Sequence, residues 1–134
     1  MSFIVELPVP PPLNNAYVNV RGRGRIKSVP YRAWRRAAVL SIFAQVPAAL
    51  RIGGPVEVFI SLPAKMRGDV DGRIKAVLDA LVDSNRIDDD RYVLAVTACK
   101  RVSPNCVTND GAIEPDKPTA FVRVTRSPTG GTRP

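Results

Sequence analysis

Apolar residues change their period along this chain, and each change marks an element. Residues 2–7 (SFIVEL) alternate well enough to read as a strand, which Pro8, Pro10, Pro11 and Pro12 bring to a stop in an extended, stiffened loop. From Tyr31 the spacing lengthens to a helical stripe of Tyr31, Trp34, Ala38, Ile42 and Val46, ended by Pro47. After the Gly53-Gly54-Pro55 break, residues 56–62 (VEVFISL) predict a strong strand buried on at least one side. Ile74, Val77, Leu78, Leu81 and Val82 then repeat at spacings of three, one, three and one, the core face of an amphipathic helix from about Gly72 to Asp83. On that helix Asp71, Lys75, Asp79 and Asp83 are four apart and form one polar ridge. Residues 92–102 (YVLAVTACKRV) read as the next strand and residues 119–125 (TAFVRVT) as the last.

The remaining segments connect these elements. Residues 14–30 alternate basic residues with glycine and polar groups, a mobile loop or loose hairpin, and residues 103–118 form a long turn-rich loop. Residues 127–134 (SPTGGTRP) are expected to be a disordered tail after a single domain of residues 1–126. The order predicts an α+β fold: a small mixed sheet of about four strands with two main helices packed on it, and right-handed crossovers where strands run parallel.

Composition narrows the chemistry. A chain of 134 residues can bury one core without staples. There is no histidine, which excludes Ser/His/Asp and Cys/His catalysis and every histidine-ligated metal site. Cys99 and Cys106 are too few for a zinc cage, the N-terminus lacks a signal-peptide pattern, and no apolar run is long enough to span a membrane. A soluble protein with reduced thiols in the cytoplasm, and no membrane partner, is the expectation. The net charge of +8 is uneven: residues 1–56 carry eight Lys/Arg against Glu6 alone, and residues 57–134 carry twelve against eleven acidic groups. Such a surplus points to a polyanionic partner, nucleic acid before an anionic membrane surface.

Seven of the twelve acidic residues lie between Asp69 and Asp90. Asp69 and Asp71 fall where a loop meets the first turn of the helix, a position that favours carboxylates through the helix dipole, so capping alone would explain them. Asp88, Asp89 and Asp90, however, come immediately before a strand, and crowded carboxylates repel unless solvated, paired with cationic side chains or bridged by a metal ion. Oxygen ligands without His or Cys select Mg²⁺ or Mn²⁺ over zinc. The segment lacks the third ligand, the glycine and the terminal Glu of an EF-hand. Lys75, one turn beyond Asp71, can face the same site as a phosphate or leaving-group contact, or form an exposed salt bridge to Asp71 or Asp79. Asp83 and Asp88 read as solvent-facing charges.

The string Asp69-Val70-Asp71, then Lys75, Asp79-Ala80-Leu81, and Asp89-Asp90 followed by Val93 resembles the signature of the RusA family of Holliday junction resolvases. The opening agrees, with a strand running into Pro10-Pro11-Pro12-Leu13-Asn14-Asn15, an aromatic residue and a basic loop, so the resemblance covers roughly residues 3–126. It implies a RusA-like fold, Mg²⁺ bound by Asp69, Asp71 and Asp90, a catalytic Lys75, supporting roles for Asp79 and Asp89, and a homodimer. One departure is Gly72, where the family commonly has Asn after the second Asp.

Arg21, Arg23, Arg25, Lys27, Arg32, Arg35 and Arg36 fall within sixteen positions in a stretch free of acidic residues between Glu6 and Glu57. That is an electrostatic footprint for phosphate backbones, or a merely solvated basic surface. Tyr17, beside Asn14 and Asn15, is placed to touch DNA, whereas Tyr31 and Trp34 fit a core or interface. Together these features describe a Mg²⁺-dependent endonuclease cutting branched, four-way DNA by paired nicks in recombination and repair. The rival from another class is a non-catalytic basic DNA-binding module whose carboxylates cap a helix and balance arginines. A Mg²⁺ enzyme acting on free nucleotides is a third reading, though the basic loop exceeds what a nucleotide needs.

Overall fold

A computed structural model describes residues 1–12, 17–22, 24–27, 29–101 and 117–128, with the backbone alone for 17–20 and 24–27. Its elements are β1 (Ser2–Pro8), β2 (Tyr17–Val20), β3 (Gly24–Lys27), α1 (Val29–Gln45), β4 (Val56–Leu62), α2 (Ile74–Asp83), β5 (Val93–Lys100) and β6 (Thr119–Arg126). The main sheet has the order β1-β6-β4-β5. β6 runs antiparallel to both β1 and β4, while β4 and β5 are parallel, because the connection between them carries α2 and returns the chain to the same end. The mixed sheet with two helices is therefore the predicted α+β fold. β2 and β3 pair as a separate antiparallel hairpin whose turn includes Gly22 at φ 80°, a left-handed conformation that glycine adopts without steric cost. No helix among the described residues is long and apolar enough to cross a membrane.

The helices cover one face of the sheet. Phe3, Val5 and Leu7 from β1, Ala120, Val122 and Val124 from β6, and Val56, Val58, Ile60 and Leu62 from β4 are buried there against Tyr31, Trp34, Ala38 and Ile42 of α1. The α1 stripe is thus the predicted one. On α2 the buried set is Ala76, Val77, Ala80 and Leu81, with Ile74, Leu78 and Val82 only partly covered. The buried face is rotated from the expected stripe by the inclusion of Ala76 and Ala80, small side chains that fit where elements pack closely.

Buried guanidinium groups tie the ends of elements together. Arg86 donates to Val46 O (3.0 Å) and to Ser84 O (2.9 Å), satisfying carbonyls beyond the C-termini of α1 and α2. Arg101 donates to Ser61 O and to the carbonyls of Lys117 and Thr119, closing the base of the β5–β6 connection. That connection, expected to be a long loop, lies over residues 102–116 outside the described residues, as do residues 129–134 of the expected tail. Ser127, by contrast, is buried and donates its N–H to Pro55 O at 3.0 Å. Cys99 on β5 is held in a disulfide, which corrects the expectation of reduced thiols.

Candidate active site

The acidic segment is placed by the parallel β4–α2–β5 unit. Beyond β4 the chain passes through a 3-10 turn at Asp71–Arg73 and enters α2 directly. After α2, Asn85 takes a left-handed φ of 58°, which its short polar side chain tolerates better than most. Asp88 then anchors the return: it accepts from Gly54 N–H at 2.7 Å and pairs with Arg51, alongside a parallel bridge between Ile52 and Ile87. The Gly54 amide, with Arg51 second, holds the Asp88 carboxyl below its usual range. Asp88 is therefore exposed, as the sequence suggested, and also a tie point at the entrance to β4. The following turn, Asp90–Tyr92, is capped by Asp89, whose carboxylate accepts from Arg91 N–H at 3.4 Å.

Lys75 sits between two of the predicted carboxylates. Its Nζ lies 3.1 Å from Asp90 Oδ2 and 3.3 Å from Asp79 Oδ1, so its partners are Asp90 and Asp79 and not Asp71. Those bonds, Asp90 first and Asp79 second, raise the ammonium above its ordinary value and keep it protonated at neutral pH. Asp90 is shifted downward, by its hydrogen bond with Asp89 first and by Lys75 second. Asp79 is the more enclosed carboxylate, and its second oxygen, Oδ2, accepts from the Tyr31 hydroxyl at 3.1 Å.

Asp69 and Asp71 are exposed; the Asp71 carbonyl accepts from Ile74 N–H, the Asp69 charge acts on the buried Arg73 guanidinium, and among the described residues neither carboxylate forms a close ion pair. The N-cap positions of the 3-10 turn and of α2, Val70 and Arg73, carry no side-chain cap either. The two carboxylates are thus not consumed in capping and remain available to an external ligand. Among the described residues, no three His, Cys, Asp or Glu side chains are gathered into a group able to hold a metal ion. Asp69, Asp71 and Asp90 thus do not form such a group here, and Asp90 is paired with Lys75.

The basic residues separate into two kinds. Arg21, beside the hairpin turn, and Arg32 and Arg36 on α1 are exposed. Arg35 is largely covered: it pairs with Asp83 of α2, which itself stays exposed, and lies over the Tyr31 ring at 5.7 Å. Tyr17, Arg25 and Lys27 belong to the hairpin strands, while Asn14, Asn15 and Arg23 fall outside the described residues.

Sequence reading missed the pairs that cross between elements. Tyr31 and Asp79, like Arg35 and Asp83, are 48 positions apart, and no local pattern links them. Arg73, Arg86 and Arg101 carry no signal that distinguishes a buried arginine from a surface one, yet all three are buried.

A comparison with curated proteins returns no match. The family model for endodeoxyribonuclease RusA, however, matches residues 8–108, a stretch that includes both helices, the hairpin and all of Asp69 to Asp90. With three quarters of its length matched, the chain belongs to the RusA family of endodeoxyribonucleases.

Proposed function

We propose that this endodeoxyribonuclease is a Mg²⁺-dependent, structure-selective enzyme that resolves four-way DNA junctions by paired nicks. The observation that carries the reading is a protonated Lys75, held by Asp79 and Asp90 near the start of α2, in the same segment as two exposed carboxylates, Asp69 and Asp71. The donor chemistry fits a hard divalent cation, since all the candidate ligands are carboxylate oxygens and the chain has no histidine. Asp69, Asp71 and Asp90 would hold Mg²⁺, with Mn²⁺ as a substitute. When bound, such an ion supplies Lewis acidity and lowers the pKa of a coordinated water.

The chain's own residues do the rest. Lys75 offers an ammonium whose positive charge neutralises the scissile phosphate or the departing oxygen as negative charge builds there. Asp79 and Asp89 hold Lys75 and Asp90 in place from either side. Arg21, Arg32 and Arg36 bind phosphates from exposed positions, joined by Arg23, Arg25 and Lys27 of the hairpin region, with Asn14, Asn15 and Tyr17 touching DNA near the junction centre. Recognition rests mainly on branch shape and phosphates, with little base reading. A homodimer of single domains (residues 1–126) would present two sites to two symmetry-related strands.

Cleavage of a synthetic four-way junction in Mg²⁺ tests the proposal, with Asp71→Asn and Asp90→Asn beside the wild type. Both variants are expected to bind the junction and fail to cut it. Undiminished cutting by both would end the metal-site assignment, and cutting of linear duplex at the same rate as the junction would end the structure selectivity.

A further inference from the structure

We infer that Tyr31 is a positioning residue for cleavage: its hydroxyl sets the orientation of Asp79, and Asp79 in turn sets the ammonium of Lys75. The inference rests on the proposed role of Lys75 and extends it into the core of the protein.

Tyr31 is 1% exposed and packs in the main cluster between α1 and the sheet. Packing alone would be served by a phenyl ring, so the hydroxyl needs its own account. Its acceptor is Asp79 Oδ2, 3.1 Å away on the other helix, and the opposite oxygen of that carboxylate faces Lys75 Nζ at 3.3 Å. A carboxylate held at only one oxygen can turn about its terminal torsion, which is broad and shallow. Held at both, it has one orientation. Lysine presents a flexible four-carbon stem, and the Lys75 side chain is half exposed, so Asp79 and Asp90 are the groups that restrict where its charge rests. The buried hydroxyl thereby transmits the rigidity of the core to the Lys75 ammonium. The Arg35–Asp83 pair joins the same two helices independently, so loss of the hydroxyl leaves their docking braced.

Tyr31→Phe keeps the ring and deletes the oxygen. Under single-turnover conditions its junction-cleavage rate should fall roughly tenfold, in line with the sensitivity of catalysis to misplacement of a charged group. Junction affinity measured without Mg²⁺ should stay within about twofold of wild type, because the change loosens Lys75 and removes no phosphate contact. Asp79→Asn should lower the rate by at least the same factor. In the Tyr31→Phe/Asp79→Asn double variant the tyrosine change should cost nothing further, since its route through Asp79 is already broken. A wild-type rate in Tyr31→Phe overturns the inference, as does a tyrosine effect of equal size with and without Asp79→Asn. So does a rate loss matched by an equal loss of affinity. Should Tyr31→Phe fail to fold, a wild-type rate in Asp79→Asn alone overturns it. Lys75→Ala separates the two levels: full cutting by that variant removes the role of Lys75 and this inference with it. Abolished cutting beside a silent Tyr31→Phe removes this inference alone.

Discussion

Replacing Arg32, Arg35 and Arg36 by alanine one at a time separates phosphate contacts from structural ones. All three lie in the first turns of α1, but Arg32 and Arg36 are exposed whereas Arg35 is engaged with Asp83 and the Tyr31 ring. Each phosphate neutralised on duplex DNA releases counterion and contributes about 0.9 to the slope of log affinity against log salt. Between 50 and 200 mM salt, a fourfold change, one contact accounts for roughly a 3.5-fold loss of affinity. Arg32→Ala and Arg36→Ala should each flatten the slope by about 0.9, so that their binding deficit shrinks as salt rises. Arg35→Ala should leave the slope unchanged and instead destabilise the fold by about 1 kcal/mol, the scale of a partly covered ion pair with an aromatic contact. The assay is junction binding without Mg²⁺ across a salt series, with thermal melts of the same preparations. A slope change in Arg35→Ala equal to that in Arg36→Ala would refute the assignment of Arg35 to helix docking. Unchanged slopes in both Arg32→Ala and Arg36→Ala would show that α1 is not the DNA-binding face.

Three more expectations follow from the geometry. Arg86→Met keeps an aliphatic stem but strips the donors from Val46 O and Ser84 O, and should cost about 2 kcal/mol in urea unfolding with an unchanged m-value. Glu6 and Asp88 both have carboxyls held below their ordinary values of 4.5 and 3.8, Glu6 chiefly by the Thr119 hydroxyl and Asp88 chiefly by the Gly54 amide. Because the depression belongs to the folded state, the stability they contribute is complete above those unfolded values and is lost as pH falls through the folded ones. Melting temperature should therefore drop from about pH 5 downward, and less steeply in Glu6→Gln and Asp88→Asn. Chelation with EDTA should stop cleavage and leave junction binding intact, with activity restored by Mg²⁺ or Mn²⁺; cutting that persists in EDTA would remove the metal from the proposal.

Periodicity was sufficient for the elements because burial enforces it: the α1 stripe, the β4 run and the β6 alternation each face a single core. It was insufficient for the rotation of α2, since alanine carries too little apolar weight to mark a buried face. The candidate site was legible where its residues are neighbours in sequence, from Asp69 to Lys75 and from Asp88 to Asp90. It was not legible where a partner comes from α1 or from the β4 entrance. A charge such as Asp83 or Asp88 is exposed as its sequence context suggests, but the arginine that pairs with it comes from 48 or 37 positions away.

The polar ridge of α2 acquires its meaning from those partners. Asp71 is exposed, Lys75 meets Asp79 and Asp90, Asp79 meets Tyr31, and Asp83 meets Arg35. Tyr31 and Arg35 are four apart on α1, and Asp79 and Asp83 are four apart on α2, so one turn of each helix is pinned to one turn of the other. Both pinned turns have a second duty. The turn of α1 is the one that displays Arg32 and Arg36, and the turn of α2 ends in the carboxylate that restrains Lys75. Two side-chain contacts therefore set the distance between the arginines that would hold a DNA backbone and the ammonium that would act on it. On the proposed reading, a backbone seated on α1 would be presented to Lys75 at a spacing fixed by the packing of α1 on α2, and not by the reach of the arginines.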